Sequence, residues 1–531
     1  MRMKLVAEPR ARVVLYFPRL CDGQYPTWAP MDLMCIATAL MHRGYEVSLI
    51  DDRGGPEARA ELMDELAGAL FVGIGTKLGE QLRNTLDAAA RIKARRPDLP
   101  VVVGGWFPSL FPDALFESPH VDAVVIGPGD FSTPELADRL FEGRSAVGIE
   151  GVYAREGDQI VRNAFGHLPD IARTHPIPYG VVGLQRYMHP HGWINTFTSR
   201  GCPGECSFCS IYCLDPRRWT ALPAERVVDD FARLVALGFR AFKVMDTDFC
   251  ASIQRVEDIC RGLIARGLDV RFEILGRHWN LRKMSDEQVH LLRRAGCTEI
   301  EMGVETGSQR LSDQVRKKLD VREVPGTVRR FVAAGIRMKL NFMFGIPTET
   351  KADLTATVRL IDDLLRANGD DGVRLQLFRY TPLPGAASKG DMWKPHVGET
   401  ERLTLEQLAN FPISEEQPGA MPWITPRQER IVKDVYYFYA PLAFIPAASQ
   451  RARDTGRPVW YRWLQLIRPL ARWRLRHGYY ALPIERLVNT WFGFPFRHGS
   501  DSGITGPDDV LANPEMGQMF DTREPRLPTA G

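Results

Sequence analysis

"RGCPGECSFCSIYC", residues 200–213, places four of the chain's nine cysteines within fourteen residues. Cys202, Cys206 and Cys209 follow a C-x₃-C-x₂-C spacing, and Cys213 trails. Thiolates this close can face one inorganic centre. Zinc asks for four ligands, commonly as two paired elements. Here an unequal triplet has no clear second half, although Cys213 could complete a set. A disulfide fits poorly with an odd number of cysteines scattered through a long chain, a usage that points to a reducing compartment. Three soft sulfur donors suit an iron–sulfur cluster with one iron left open. The cluster is the expected occupant, and zinc is the alternative.

The cysteine loop leaves Ile194–Thr198, the first of six candidate strands. The others are Ala241–Met245, Val270–Leu275, Glu299–Val304, Met338–Phe344 and Val373–Phe378, with helical patterns such as Ala224–Leu237 and Thr350–Leu365 between them. This alternation over residues 191–390 predicts a partial or full (β/α) barrel, whose active groups sit at the strands' carboxyl ends. Upstream, residues 1–148 alternate in the same way. Arg12–Phe17, Glu46–Ile50, Leu70–Ile74, Val101–Val103 and Val121–Ile126 read as buried strands, and Gln81–Ala94 reads as an amphipathic helix. That order predicts a doubly wound, Rossmann-like α/β domain binding a ligand beyond its strand ends. Residues 149–190 read as a connector with a hairpin around "AREGD", 391–500 as a helical region and 501–531 as a disordered tail.

Composition bounds the partners. The 531 residues carry a formal charge of only +3, which argues against nucleic acid. The N-terminus lacks a signal-peptide core, and the run Val435–Ala448 is broken by prolines and too short for a bilayer span, so a cytoplasmic protein is expected. Aromatic and arginine residues from Tyr461 to Tyr480 could line a pocket or meet a membrane interface, and a helix packed on the barrel explains them as well.

With Phe208 before its last cysteine, the triplet resembles the signature of radical SAM enzymes. The resemblance implies that Cys202, Cys206 and Cys209 hold a 4Fe–4S cluster whose free iron takes S-adenosylmethionine (SAM), giving a 5′-deoxyadenosyl radical. It continues through "MDTDF", which implies Asp246 and Asp248 near the SAM amino group, although Thr247 stands where relatives often carry a second adjacent acid. Arg277 after "FEILG" is expected at the SAM carboxylate, or else as a surface arginine. In "GVETGSQR" (303–310) Glu305 and Ser308 are implied at the ribose or methionine. In "FGIPTET" (344–350) the backbone of Gly345 and Ile346 is implied at the adenine. "YTPLPGA" (380–386) resembles the closing segment.

A doubly wound domain ahead of such a core resembles the cobalamin-binding branch. "VVVGGWFPSLFPDALFESPHVDAVVIGPGD" (101–130) resembles its fourth-to-fifth-strand region. That implies cobalamin near Gly104, Gly105 and Trp106, with Trp106 or Phe107 against the corrin or else in packing. The Asp-x-His-x-x-Gly motif is absent, so corrinoid would be held without a histidine. The resemblance implies C-methylation of an unactivated carbon or, alternatively, cyclisation or oxidation without methyl transfer. It also implies a small-molecule substrate, taken here as bulky and lipophilic, and an electron donor such as flavodoxin or ferredoxin. No catalytic acid or base is assigned.

Overall fold

The computed structural model describes residues 2–20, 28–55, 57–187, 193–386, 403–411, 421, 423–444 and 458–491. The expected tail at 501–531 lies outside them. Sixteen strands are described: β1 (Arg2–Met3), β2 (Arg12–Phe17), β3 (Glu46–Asp51), β4 (Ala69–Gly75), β5 (Val101–Gly104), β6 (Ala123–Val125), β7 (Val152–Glu156), β8 (Gln159–Arg162), β9 (Trp193–Thr196), β10 (Ser199–Gly201), β11 (Trp219–Ala221), β12 (Ala241–Val244), β13 (Arg271–Leu275), β14 (Cys297–Glu305), β15 (Arg337–Phe344) and β16 (Val373–Arg379).

The front sheet runs β1-β3-β2-β4-β5-β6-β7-β8. Its core, β2 to β6, is parallel, while β1, β7 and β8 pair antiparallel at the edges. Counted along the chain, the parallel strands stand in the order 2-1-3-4-5, which puts the topological switch between β2 and β4. The runs are apolar because both faces are covered by helices. Helix Glu80–Arg95, for instance, buries Leu82, Thr85, Ala88, Ala89 and Ile92 at helical spacing. The hairpin at 152–162 differs from the connector expected of it: β7 pairs with β6 and extends this sheet.

The second sheet, β16-β15-β14-β13-β12-β9, is wholly parallel and sequential, a six-stranded partial barrel. Its faces differ. Ile300, Met302, Val304, Leu340 and Phe342 are buried on the helical side, whereas the alternate residues are polar. Lys243 Nζ stands 3.1 Å from Glu273 and 3.4 Å from Glu301, and Asn341 donates to Glu301 at 2.9 Å. The lumen therefore has a charged lining rather than stacked apolar layers. Capping boxes at Ser285/Gln288 and Thr350/Asp353 start two of the outer helices.

Two described parts of the region expected as helical over 391–500 pack in different places. Leu405, Leu408 and Ala409 pack into the front domain, where Gly79 N–H donates to Leu408 O at 3.0 Å. Residues 421–444 and 458–491 pack on the barrel instead.

Candidate cofactor site at the mouths of the two sheets

The cysteines occupy a loop between β10 and β11, an antiparallel pair that closes its neck. Closure demands glycine at 201. The residue has φ +78°, and a Cβ there would stand 2.2 Å from Arg218 O. Further pins hold the loop. Ser207 N donates to Val315 O at 3.0 Å, Cys209 N to Cys206 O at 3.1 Å, and Leu168 N to the Asp215 carboxylate at 2.6 Å. Cys213 turns its Sγ toward Cys209 O at 3.8 Å. Cys35, Cys250, Cys260 and Cys297 are buried thiols away from the loop.

Among the described residues, no three Cys, His, Asp or Glu side chains are placed to hold a single metal ion. Zinc requires such convergence, with sulfurs about 2.3 Å from one centre. Three soft thiolates on one loop are the donor set that a cluster binding each on a different iron takes. Burial pushes the Cys202 thiol up to about 11, partly offset by the Gly204 N–H, 3.4 Å from its sulfur, and by Arg277. Thiolate there needs the positive charge that bound iron carries.

Two cations flank the loop. The Arg277 guanidinium lies against Gly204, where a Cβ would approach its central carbon to 2.7 Å. It donates to Lys317 O at 3.3 Å. Lys317 Nζ pairs with Glu305 at 2.6 Å and stands 5.6 Å from the Phe208 ring centre. Its charge interacts with Cys206, and Glu305 is the chief force holding the ammonium form against burial. Glu305 sits at a bulge of β14 with φ +69°, a strained conformation for a non-glycine residue. Gly303 makes room for the pair, since a Cβ there would lie 2.2 Å from Glu305 Oε1 and 2.6 Å from Lys317 Nζ. Phe208, Arg277 and Glu305 thus meet beside the cysteines. Lys317 was not singled out, because "RKKLD" reads as a solvated charge run. Positive φ at Arg316 and Lys318 marks the turn that carries it.

Other expected ligand groups face inward. Asp246 is fully buried, and its oxygens accept from Thr198 N (2.5 Å), Thr198 Oγ1 (2.6 Å), Ser199 N (2.9 Å) and Ser199 Oγ (2.7 Å). It fixes the chain's exit from β9. Asp248 accepts from Asn280 Nδ2 at 2.8 Å and Arg277 N at 3.4 Å, and burial raises its carboxyl to about 6. Ser308 Oγ donates to Asp353 at 2.5 Å and caps helix Gln309–Gln314. Gly345 gives its N–H to Glu349 (2.9 Å) and its carbonyl to Trp423 Nε1 (2.7 Å). Ile346 is buried with its carbonyl on Glu349 N. Met421, Trp423 and Val432 of the C-terminal region pack against Gly345.

On the front domain, Gly105 is required by the protein itself, since a Cβ would lie 2.2 Å from Thr76 O. Gly104 pairs within the sheet between Gly75 and Val125. Trp106 Nε1 donates to Ser210 Oγ at 2.9 Å, a contact between the front domain and the cysteine loop. Arg200, two residues before Cys202, meets Asp130 at 2.5 and 3.3 Å, with side chains 15 and 5% exposed. Ala29 and Asn195 exchange two hydrogen bonds of 2.8 and 3.0 Å. The loops after β5 and β6 thereby grip the cysteine loop. A corrinoid fits the strand order at this end of the sheet.

Fold and site together define a two-domain α/β cofactor protein, with a cluster loop clamped between a doubly wound sheet and a partial barrel. The radical SAM superfamily model matches residues 196–361 and the B12-binding domain model residues 25–137. The chain therefore carries both a radical SAM domain and a B12-binding domain, the pairing of the cobalamin-dependent radical SAM enzymes. Its cofactors are those of that pairing: a 4Fe–4S cluster, SAM and cobalamin. An uncharacterized methyltransferase of Pyrococcus horikoshii is 27% identical over 311 residues, 57% of this chain and 64% of that protein. An anaerobic magnesium-protoporphyrin IX monomethyl ester cyclase of Cereibacter sphaeroides is 27% identical over 375 residues, 66% of this chain and 60% of that one. The chain thus spans about six tenths of the length of these relatives. The cobalamin-dependent SAM radical enzyme OxsB, with aqua-cobalamin and SAM bound, shares the fold at TM-score 0.69 and 16% identity, over 91% of this chain and 75% of that one. The methyltransferase TsrM of Kitasatospora setae does so at 0.58 and 23%, over 69 and 75%. Among the described residues, no helix is long and apolar enough to cross a membrane.

Proposed function

We propose that the chain is a cobalamin-dependent radical SAM C-methyltransferase acting on an unactivated carbon of a bulky apolar metabolite. The observation that carries this reading is the clamp of Arg200–Asp130 and Trp106–Ser210, which brings the strand ends of the cobalamin-type domain against the loop that would hold the cluster. When bound, the cofactors supply a 5′-deoxyadenosyl radical and a transferable methyl group. Cys202, Cys206 and Cys209 hold the cluster, and having three donors rather than four leaves an iron for SAM. Arg277 presents guanidinium N–H groups suited to the SAM carboxylate, while Glu305 is an acceptor fixed by Lys317. The clamp would hold the two cofactor-binding mouths in fixed register, the positioning that radical chemistry needs. An electron donor such as flavodoxin or ferredoxin is required.

The relatives named as anaerobic cyclases favour a second reading, ring formation or oxidation without methyl transfer. Product analysis of the anaerobically reconstituted protein separates the two. Methylation yields 5′-deoxyadenosine and S-adenosylhomocysteine in step with methylated product. Turnover with 5′-deoxyadenosine and no S-adenosylhomocysteine would contradict it.

A further inference from the structure

Helix Pro458–His477 has two apolar faces. Leu464, Ile467, Ala471 and Leu475 pack inward, no more than 6% exposed. On the opposite face Val459, Leu466, Leu470 and Trp473, spaced by seven, four and three residues, are 80, 72, 41 and 48% exposed. The surface continues past Gly478 into Leu482, Ile484 and Leu487, each more than 60% exposed. A helix on a protein surface ordinarily turns charge outward, and one that is apolar on both sides is covered on both sides.

The charge around this face decides between coverings. Residues 458–491 hold six arginines and a single acid, Glu485, which is buried against Arg474. Arg474 pairs with Glu485, Arg476 pairs with Asp362 and Asp363, and Arg468 and Arg472 donate to Ala443 O, so these four are held on the protein side of the helix. Arg462 lies on the exposed face itself, between Val459 and Leu466. Trp473 and Tyr479, 48 and 44% exposed, are amphipathic rings of the kind that settle at a headgroup boundary. A second copy docked through the same face would bring Arg462 toward its own counterpart with no acid of this segment on the face to offset it, because a two-fold interface meets itself.

We propose that the face formed by Val459, Leu466, Leu470, Trp473, Leu482 and Leu487 docks on an anionic lipid surface. The apolar side chains enter the acyl boundary, and Arg462 meets the headgroups. The inference stands apart from the reaction assigned above.

The test is co-sedimentation of the full chain with vesicles of phosphatidylcholine alone or mixed with phosphatidylglycerol. Binding at least tenfold stronger to the anionic vesicles, weakened by 0.5 M salt, is expected. Leu466→Glu with Leu470→Glu should abolish it, and the exposed single variant Arg462→Glu should weaken it severalfold with an unchanged thermal midpoint. Self-association of the wild type that the double variant removes would overturn the proposal in favour of a second copy. A monomer binding neither vesicle would also overturn it, since the face would then be covered by the chain's own residues outside 458–491.

Discussion

Glu349 shows how far a single residue can depart from its reading in sequence. It lies in "GIPTET", at the strand end expected to meet adenine, yet it is 3% exposed, accepts the Gly345 N–H, and has an Oε1 with no partner among the described residues. Burial raises its carboxyl from the ordinary 4.5 to about 8. Between those values the folded chain keeps a proton that the unfolded chain has lost, so stability falls as pH rises through that window and levels off above it. The shift corresponds to on the order of 4 kcal/mol at the top of the window. In Glu349→Gln the thermal midpoint should lose that slope, so the variant gains on wild type steadily from pH 5 to pH 8. A pH-independent difference would show that the carboxyl is not buried as described. Gly201 gives a sharper expectation. Gly201→Ala combines positive φ with a backbone clash, and it should open the β10–β11 neck and cut retained iron severalfold after anaerobic reconstitution, measured per folded chain. The same residues mark the limit of legibility in sequence. That Asp246, Ser308 and Gly345 end strands is visible in sequence. Which way a carboxylate or amide points depends on Thr198, Asp353 and Trp423, remote in the chain, and no local pattern encodes that.

At the level of elements, strand positions were legible to within about two residues, because buried parallel strands are short apolar runs between turn residues. The roles of connecting pieces were less so. The hairpin at 152–162 carries half-buried side chains, which fit an edge strand and a connector equally well, and only its pairing with β6 separates them. The clamp on the cysteine loop was not foreseen, since Arg200 and Asp130 are 70 residues apart. Arg200→Met would leave Asp130 buried and unpaired and should destabilise the chain by roughly 3–5 kcal/mol, measured as denaturant midpoint against the Arg200→Met/Asp130→Asn double variant, which should recover part of it. Trp106→Phe removes one hydrogen bond, worth about 1 kcal/mol. Its stability effect should be small, while the ratio of methylated product to 5′-deoxyadenosine falls because the two mouths lose register. An unchanged ratio would mean that the contact serves packing alone.

At the scale of the whole molecule, the cysteine loop lies between two sheets with parallel cores, and its sulfur donors, cationic wall and clamp come from separate segments. Cys202, Cys206 and Cys209 leave the barrel strand β9, Arg277 and Lys317 follow β13 and β14, and Asp130 and Trp106 belong to the front sheet. The triplet announced this arrangement because its spacing is a chemical constraint, readable without tertiary context. The measurement closest to the central claim is anaerobic reconstitution with iron, sulfide and electron paramagnetic resonance. About four iron and four sulfide per chain are expected, with a reduced-cluster signal that shifts when SAM is added and is lost on Cys206→Ala. Zinc without sulfide, or a cluster signal indifferent to SAM, would contradict the account.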